Sequence, residues 1–206
     1  MKLVFATSNE NKVNEFRSIV GPDIEVQSLK DIGWTEDIEE TADTLEGNAI
    51  LKARTVAESL DISCFSEDTG LEIDALDGRP GVLSARYAGP DNDAAKNMAL
   101  VLREMDGQEN RSARFRTVMA LVIDEALHCF HGVVEGEITT TPSGDGGFGY
   151  DPIFKPTGYD RTFAEMNAEE KGLISHRAMA TNKLIRFLTR YVRCKNRELR
   201  LLRKQD

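Results

Sequence analysis

The segment KLVFATSNENKVNEFRSIV, residues 2–20, contains the pattern from which the fold can first be inferred. A short apolar run from Lys2 to Ala6 is interrupted by the polar stretch TSNENK at residues 7–12. Beyond this stretch, apolar residues recur at the spacing of one helix face, at Val13, Phe16, Ile19 and Val20. The segment therefore predicts a strand, a polar loop and a helix.

The rest of the chain alternates predicted strands with predicted helices. Strands are predicted at residues 24–29, at 62–66 and 71–75 on either side of a loop EDTG (67–70), and in a hairpin that turns at Asp124 and Glu125. Helices are predicted after a cap at Asp43 or Thr44, across Ala95 to Met105, and from about Ser175. The last of these carries an apolar stripe of Leu184, Leu188, Tyr191 and Val192. Because strand–helix–strand units and a hairpin occur together, the predicted class is α/β, with a mixed sheet flanked by helices.

Composition excludes several classes of protein. The 206 residues include 35 acidic and 26 basic ones, giving a net charge of −9, which argues against non-specific wrapping of nucleic acid. The three cysteines form no CxxC pair, so a disulfide framework is not expected. No signal-peptide core and no run of about 18 apolar residues is found. We expect a cytoplasmic protein without a membrane segment.

The charge is strongly segregated along the chain. Residues 190–206 contain seven basic and two acidic residues, whereas residues 1–189 contain 19 basic and 33 acidic ones. A basic helical tail of this kind could contact nucleic acid or a membrane. The alternative is a solvated helix end, or one that contacts an acidic face of its own protein, and this is the interpretation we favour.

The glycine-rich segment SGDGGFGYDPIF, residues 143–154, formally satisfies GxGxxG. A dinucleotide-binding fingerprint requires a helix directly after the glycines, whereas here Pro152 follows in an extended-looking YDPIF run. These glycines instead could let the backbone approach a planar ligand on which Phe148 stacks, or they could form a tight turn around a core phenylalanine.

Three further groups of polar residues could carry chemistry. In TSNENK, the helix-start amides, the Thr7 and Ser8 hydroxyls and the Lys12 ammonium could converge on phosphate, although no Walker A sequence is present. Carboxylates occur in pairs at 39–40 and 67–68, and oxygen donors from two loops suit Mg²⁺. Lys171, His176 and Arg177 lie close together near the start of the last helix, while His128 and His131 are expected on opposite faces of a strand.

Together these segments resemble the inosine triphosphate pyrophosphatase (Ham1) family, in order and in spacing. The segments that carry the resemblance are FATSNENK (5–12), EGNAILKA (46–53), SEDTGLEIDAL (66–76), PGVLSARYAG (80–89), GGFGYDPIF (146–154) and EEKGLISHRA (169–178). The resemblance covers about residues 2 to 189. One departure is Ser8, which stands where glycine is frequent in the family.

The resemblance implies an elongated mixed sheet with two lobes around a central cleft. It implies hydrolysis of non-standard purine nucleoside triphosphates (dITP, ITP and XTP) to the monophosphate and pyrophosphate, with Mg²⁺ and as a homodimer. No stable complex with nucleic acid is expected. Residues 1–191 would form one catalytic domain, and residues 192–206 a basic helical extension outside it.

The site residues follow from the same resemblance, position by position. Asp68 would be the proton acceptor and a metal ligand, with Glu40 as the second metal ligand. The substrate-binding residues would be Thr7, Ser8, Asn9, Glu10, Asn11, Lys12 and Lys52 at the phosphates, Thr69 beside the substrate, and Phe148, Gly149, Tyr150, Asp151, Lys171, His176 and Arg177 at the base.

The residues themselves point to direct attack by water, because no nucleophilic serine or cysteine stands beside a base. Two alternatives remain open. The enzyme could act on another modified or pyrimidine triphosphate, since Phe148 would stack on almost any base. The chain could instead be a non-catalytic nucleotide- or nucleic-acid-binding protein that uses its basic tail.

Overall fold

The computed structural model describes residues 1–202, and the surroundings of side chains through residue 197. The strands are β1 Lys2–Phe5, β2 Glu25–Ser28, β3 Cys64–Ile73, β4 Ser112–Ile123, β5 Ala126–Ile138 and β6 Phe154–Pro156. The helices are α1 Glu10–Ile19, α2 Leu45–Leu60, α3 Ala94–Glu104, α4 Ala168–Ile174 and α5 His176–Leu202. Short 3₁₀ turns occur at Asp74–Leu76, Gly81–Arg86, Asp151–Ile153 and Phe163–Glu165.

The strands form one sheet in the order β2-β1-β3-β4-β5-β6. β1 runs parallel to both β2 and β3, and the remaining pairs are antiparallel. The hairpin between β4 and β5 turns at Asp124 and Glu125, whose φ angles of 47° and 63° are left-handed, as a tight hairpin turn requires. The predicted mixed sheet is therefore confirmed, and so is the hairpin.

Helices cover both faces of the sheet. Along β4, Val118 packs with Ala49 and Ala53 of α2, whereas Met119 packs in a cluster with Phe16 of α1 and Leu184 of α5. Neighbouring strand residues point to opposite faces, so α2 lies on one face and α1 and α5 lie on the other. The two histidines of β5 also face opposite sides, as predicted: the His128 ring lies against Phe187, and the His131 ring lies near Glu46.

The strand β3 joins two apolar cores. Near its start, Phe65 packs among side chains of α1 and α5, while near its end Leu71 packs in a cluster with Phe154 and Phe163. Between these two cores the strand carries Glu67, Asp68 and Thr69. Polar side chains therefore occupy the middle of the sheet, between two apolar lobes.

Two local predictions are wrong. The sequence EDTG is not a loop between two strands, because residues 67–70 pair with β4 in one uninterrupted ladder and belong to β3. The long-range pairing overrides the turn tendency of Asp, Thr and Gly. The run YDPIF is not fully extended either, since Asp151–Ile153 forms a 3₁₀ turn with proline near its start, and β6 begins only at Phe154. The glycine-rich segment is accordingly followed by a turn and a strand.

The long helix α5 begins at His176, one residue after the predicted start. Its predicted apolar stripe, which includes Leu184 and Leu188, packs against the sheet. At the end of the stripe, Tyr191 donates a hydrogen bond to Asp124, and Lys195 forms an ion pair with the same carboxylate, so the helix contacts an acidic turn of its own protein. The predicted roles of the side chains after residue 197, and of residues 203–206, lie outside the described part. None of the described helices is long and apolar enough to cross a membrane.

Candidate active site

A cleft of about 910 Å³ opens where β1 ends beside β3. β1 pairs with β3 only as far as Phe5, opposite Phe65, while β3 continues to Ile73. The middle of β3 therefore has no β1 neighbour, and both of its faces border the same space. Residues from several parts of the chain line the cleft, among them Thr7, Ser8 and Asn9, the segment 36–41, Lys52, Glu67, Asp68 and Thr69, and Arg86.

One wall of this cleft holds the predicted catalytic and metal-binding carboxylates. Lys52 of α2 forms an ion pair with Glu40, and its Nζ lies 3.5 Å from Asp68 Oδ1. Arg86 lies 3.4 Å from the other Glu40 oxygen. The structure thus brings Glu40, Lys52 and Asp68 together from a loop, a helix and a strand.

The two carboxylates of this wall differ in electrostatics. Asp68 is largely buried, and its Oδ2 has no hydrogen-bond partner among the described residues. Burial, with help from the nearby charge of Glu40, raises the pKa of Asp68 above its usual value, despite the opposing effects of the Lys52 charge and of the Asn48 side-chain amide. For Glu40 burial also opposes ionisation, but Lys52 and Arg86 outweigh it and lower the pKa. Asp68 is therefore the stronger proton acceptor of the two.

The loop TSNENK positions the start of α1 at the cleft. Asn9 caps the helix: its Oδ1 accepts the N–H groups of Asn11 and Lys12 at 3.0 and 3.3 Å, and the Thr7 hydroxyl accepts the N–H of Asn9 at 3.2 Å. These two helix-start amides, predicted to be free for phosphate, are thus engaged by Asn9. Glu10 forms part of the same first turn.

Lys12 points from α1 toward β3 and forms an ion pair with Glu67 at 2.7 Å. Because alternate residues of a strand face opposite sides, Glu67 lies on the face covered by α1 and α5, whereas Asp68 lies on the face covered by α2. The side chain of Glu67 is only 2% exposed, and Arg177 of α5 also binds it, at 2.9 Å. Burial opposes ionisation of Glu67, but Arg177, Lys12 and Lys52 outweigh it and lower the pKa.

The predicted base-binding residues gather around Phe148, whose ring is 64% exposed. The Nζ of Lys171 lies 4.7 Å from the ring centre, and the guanidinium carbon of Arg177 lies 5.7 Å from it. Asp151 is buried, forms an ion pair with Lys171, and accepts the backbone N–H of Phe148 at 2.7 Å. An exposed aromatic ring flanked by two cations can hold a planar ligand.

Two residues of this group have surroundings that the sequence did not predict. Tyr150 is buried in the core, and its hydroxyl donates a hydrogen bond to the carbonyl oxygen of Ser84 at 2.8 Å. This bond connects the glycine-rich segment to the 3₁₀ turn Gly81–Arg86. The neighbouring Gly149 has a left-handed φ of 63°. His176 is buried and stacks on Phe115, with 4.7 Å between ring centres. Burial, together with the charges of Arg177 and Lys171, lowers the pKa of His176 to about 3, so its ring is neutral at neutral pH.

Three residues near the cleft were missed by the sequence analysis. Glu67 was noticed as part of an acidic pair, but its place opposite Asp68 depends on sheet pairing. Arg86 gave no signal beyond its position in a turn-rich segment. Gly132 of β5 lies against the first turn of α5, where a Cβ would come within 1.8 Å of the His176 carbonyl oxygen. Only glycine allows the helix that carries His176 and Arg177 to approach so closely.

Thr69 lies on the same face as Glu67, and its hydroxyl is 2.7 Å from that of Thr117 on β4. Thr69 lines the cleft and therefore presents a hydrogen-bonding hydroxyl to it.

Comparison with known proteins agrees with this geometry. A model described as the Ham1 family matches residues 3–187. Proteins named dITP/XTP pyrophosphatase from Flavobacterium johnsoniae and Bacillus subtilis are 51% and 48% identical to this chain, over 92% and 90% of its length and 98% and 96% of theirs. The structure of the Staphylococcus aureus Ham1 protein superposes with a TM-score of 0.88 at 39% identity, covering 92% of this chain and 98% of that one. The chain therefore belongs to the Ham1 family.

Proposed function

We propose that this protein hydrolyses non-standard purine nucleoside triphosphates, namely dITP, ITP and XTP, to the nucleoside monophosphate and pyrophosphate, and so cleanses the nucleotide pool. The observation that carries the proposal is the placement of a buried, unpaired Asp68 oxygen beside Glu40 and Lys52, in a cleft that also holds the TSNENK loop. Relatives named dITP/XTP pyrophosphatase support the substrate class.

In the proposed reaction a water molecule attacks the α-phosphorus, and Asp68 orients it and accepts its proton. The raised pKa of Asp68 strengthens the carboxylate as a base. Lys12 and Lys52 stabilise the negative charge that develops on the leaving pyrophosphate. The bond that forms joins water oxygen to the α-phosphorus, and the bond that breaks joins the α-phosphorus to the bridging oxygen.

The residues present fit a magnesium ion. Glu40 and Asp68 supply carboxylate oxygens, the donors that Mg²⁺ prefers, and Asp68 Oδ2 lacks any other described partner. Mg²⁺, when bound, supplies charge neutralisation at the phosphate oxygens. Lys52 now lies between the two carboxylates and is available to turn toward the phosphates.

Selectivity would come from the base end of the site. Hypoxanthine and xanthine carry a carbonyl at C6, where adenine carries an amino group. Arg177 and His176 would donate hydrogen bonds to the carbonyl oxygen, whereas the amino group of adenine, itself a donor, could not accept them. A mismatch that leaves buried donors unpaired can reduce turnover by on the order of 10⁴. Phe148 would stack on the ring without distinguishing bases.

Three further parts of the proposal are carried over from the family resemblance. We propose that the protein forms a homodimer, that it works in the cytoplasm where the nucleotide pool is found, and that residues 1–191 form one catalytic domain with residues 192–206 as an extension. The helix α5 runs without a break through the proposed boundary. Light scattering of the full chain and of a chain ending at residue 191 would test the dimer and the boundary together.

The deciding experiment is Mg²⁺-dependent release of pyrophosphate from dITP, ITP, XTP, dGTP and dATP, with identification of the monophosphate formed. We expect strong release from the first three and little from the last two. Guanine shares the C6 carbonyl, so rejection of dGTP requires that the site exclude the 2-amino group of guanine. Preferential release from pyrimidine triphosphates would favour the alternative substrate class. Release of inorganic phosphate would contradict attack at the α-phosphorus, and absence of turnover with retained binding would favour a non-catalytic binding protein.

A further inference from the structure

Glu67 is a buried carboxylate to which the proposed reaction gives no role. It lies next to Asp68 in sequence but on the opposite face of β3. Its side chain is 2% exposed, although carboxylates are rarely buried unless they are paired. The residues that pair with Glu67 therefore indicate its role.

A single oxygen of Glu67 joins two helices. Oε1 lies 2.7 Å from Nζ of Lys12, in the first turns of α1, and 2.9 Å from Nη2 of Arg177, at the start of α5. These two cations come from parts of the chain more than 160 residues apart. Both contact the same oxygen and therefore lie close together, where the phosphate loop that carries Lys12 meets the base-binding group that contains Arg177.

Few other contacts fix these cations. Among the described residues, Glu67 is the only ion-pair partner of Lys12 and of Arg177. The Nε of Arg177 is buried without a hydrogen-bond partner. The guanidinium carbon also lies 5.7 Å from the ring centre of Phe148, whose side chain is exposed. The strand that carries Glu67 is paired with β4 along its whole length, so it is a rigid support.

We propose that Glu67 is a positioning residue that fixes the Arg177 guanidinium for base recognition by binding it, together with Lys12, on one carboxylate oxygen. This inference rests on the proposed function, because it assigns Arg177 to recognition of the substrate base. A buried carboxylate on a paired strand places the guanidinium before the substrate arrives, which reduces the entropy lost when Arg177 binds it.

The test compares Glu67→Gln, which keeps the size but removes the charge, with Glu67→Asp, which keeps the charge on a shorter side chain. Glu72→Gln is the control, since Glu72 lies on the same strand and its one ion-pair partner among the described residues is Arg116, at 3.9 Å. The measured quantity is kcat/KM for ITP divided by kcat/KM for ATP. We expect this ratio to fall at least about tenfold in Glu67→Gln, to recover partly in Glu67→Asp, and to stay within about twofold in the control.

Two further readouts separate positioning from a general loss of structure or a change of charge. The double variant Glu67→Gln/Arg177→Gln should discriminate no worse than Arg177→Gln alone, because both changes remove one interaction. Inhibition by pyrophosphate should not weaken in Glu67→Gln, since the variant removes a negative charge near the phosphate site.

An equal loss of turnover on ITP and ATP in both Glu67 variants, with an unchanged ratio, would show that the carboxylate only stabilises the fold and would overturn the proposal. If Glu67→Gln does not fold, Glu67→Asp decides by the same ratio. An inactive parent protein would instead refute the proposed function. The positioning role would then be judged by whether the preference of the parent for binding IMP over AMP is lost in Glu67→Gln.

Discussion

Asp68 is the residue on which the proposed chemistry depends most, and the prediction for it is sharp. Replacing Asp68 by Asn removes the proton acceptor but keeps the shape, so kcat should fall by roughly 10²–10⁴. Folding should change little, because one Asp68 oxygen has no partner and the other lies 3.5 Å from Lys52. Steady-state release of pyrophosphate and thermal unfolding measure the two effects. Asp74→Asn, in the 3₁₀ turn directly after the same strand, should retain turnover. Near-normal kcat in Asp68→Asn would remove Asp68 from the mechanism.

The second prediction for a single residue concerns Arg177. Removal of its guanidinium in Arg177→Ala should reduce kcat/KM for ITP and leave the low activity on ATP nearly unchanged, so the preference for ITP shrinks by about tenfold or more. The physical reason is the loss of a donor to the C6 carbonyl. Competition between ITP and ATP in one mixture measures the preference directly. An unchanged preference would mean that other groups read the base.

The role of a single residue could be predicted from sequence only where its side chain is suited to few kinds of chemistry. Glu40, Lys52 and Asp68 are predicted from scattered motifs and do meet at one wall of the cleft. Glu67 could not be assigned, because the sequence does not show on which face of the sheet it lies. His176 was expected to present donors to the base, but its burial against Phe115 and its neutral ring depend on packing between distant segments.

At the scale of elements, periodicity and caps predict the helices well. Thr44 caps α2 by accepting the N–H of Gly47, and the α5 stripe packs as expected. Strand limits are less predictable, because pairing with β4 extends β3 through residues 67–70. The continuity of β3 matters for function, because it places the Glu67 and Asp68 side chains on opposite faces of the sheet. In a loop, the two carboxylates could have bound the same metal ion.

The fit between β5 and α5 leads to a prediction about two glycines. Gly132→Ala should destabilise the protein by about 1–3 kcal/mol and weaken base selectivity, because its Cβ would meet the backbone of His176 and push α5 away. Gly172→Ala in α4 should stabilise it by up to about 1 kcal/mol, since open space surrounds the new methyl and alanine favours helix. Urea unfolding of both variants provides the comparison. Equal effects of the two substitutions would contradict the close approach of α5 to β5.

For the whole molecule, the neutral buried ring of His176 makes stability depend on pH. The pKa of His176 is about 3 in the folded protein and near 6.5 in the unfolded chain, so between these values only the unfolded state binds the proton. Stability should therefore fall as pH drops below about 6.5, and His176 alone contributes about 2 kcal/mol of loss between pH 8 and pH 5. Urea unfolding at the two pH values measures the loss, and His176→Gln should reduce it by that amount. The variant His131→Gln is the matched control, because it makes the same substitution at a half-buried histidine beside Glu46 and leaves His176 in place, so the loss assigned to His176 should remain. An identical pH dependence in the parent and in His176→Gln would mean that His176 titrates normally, and that the first turn of α5 admits water when the protein is free.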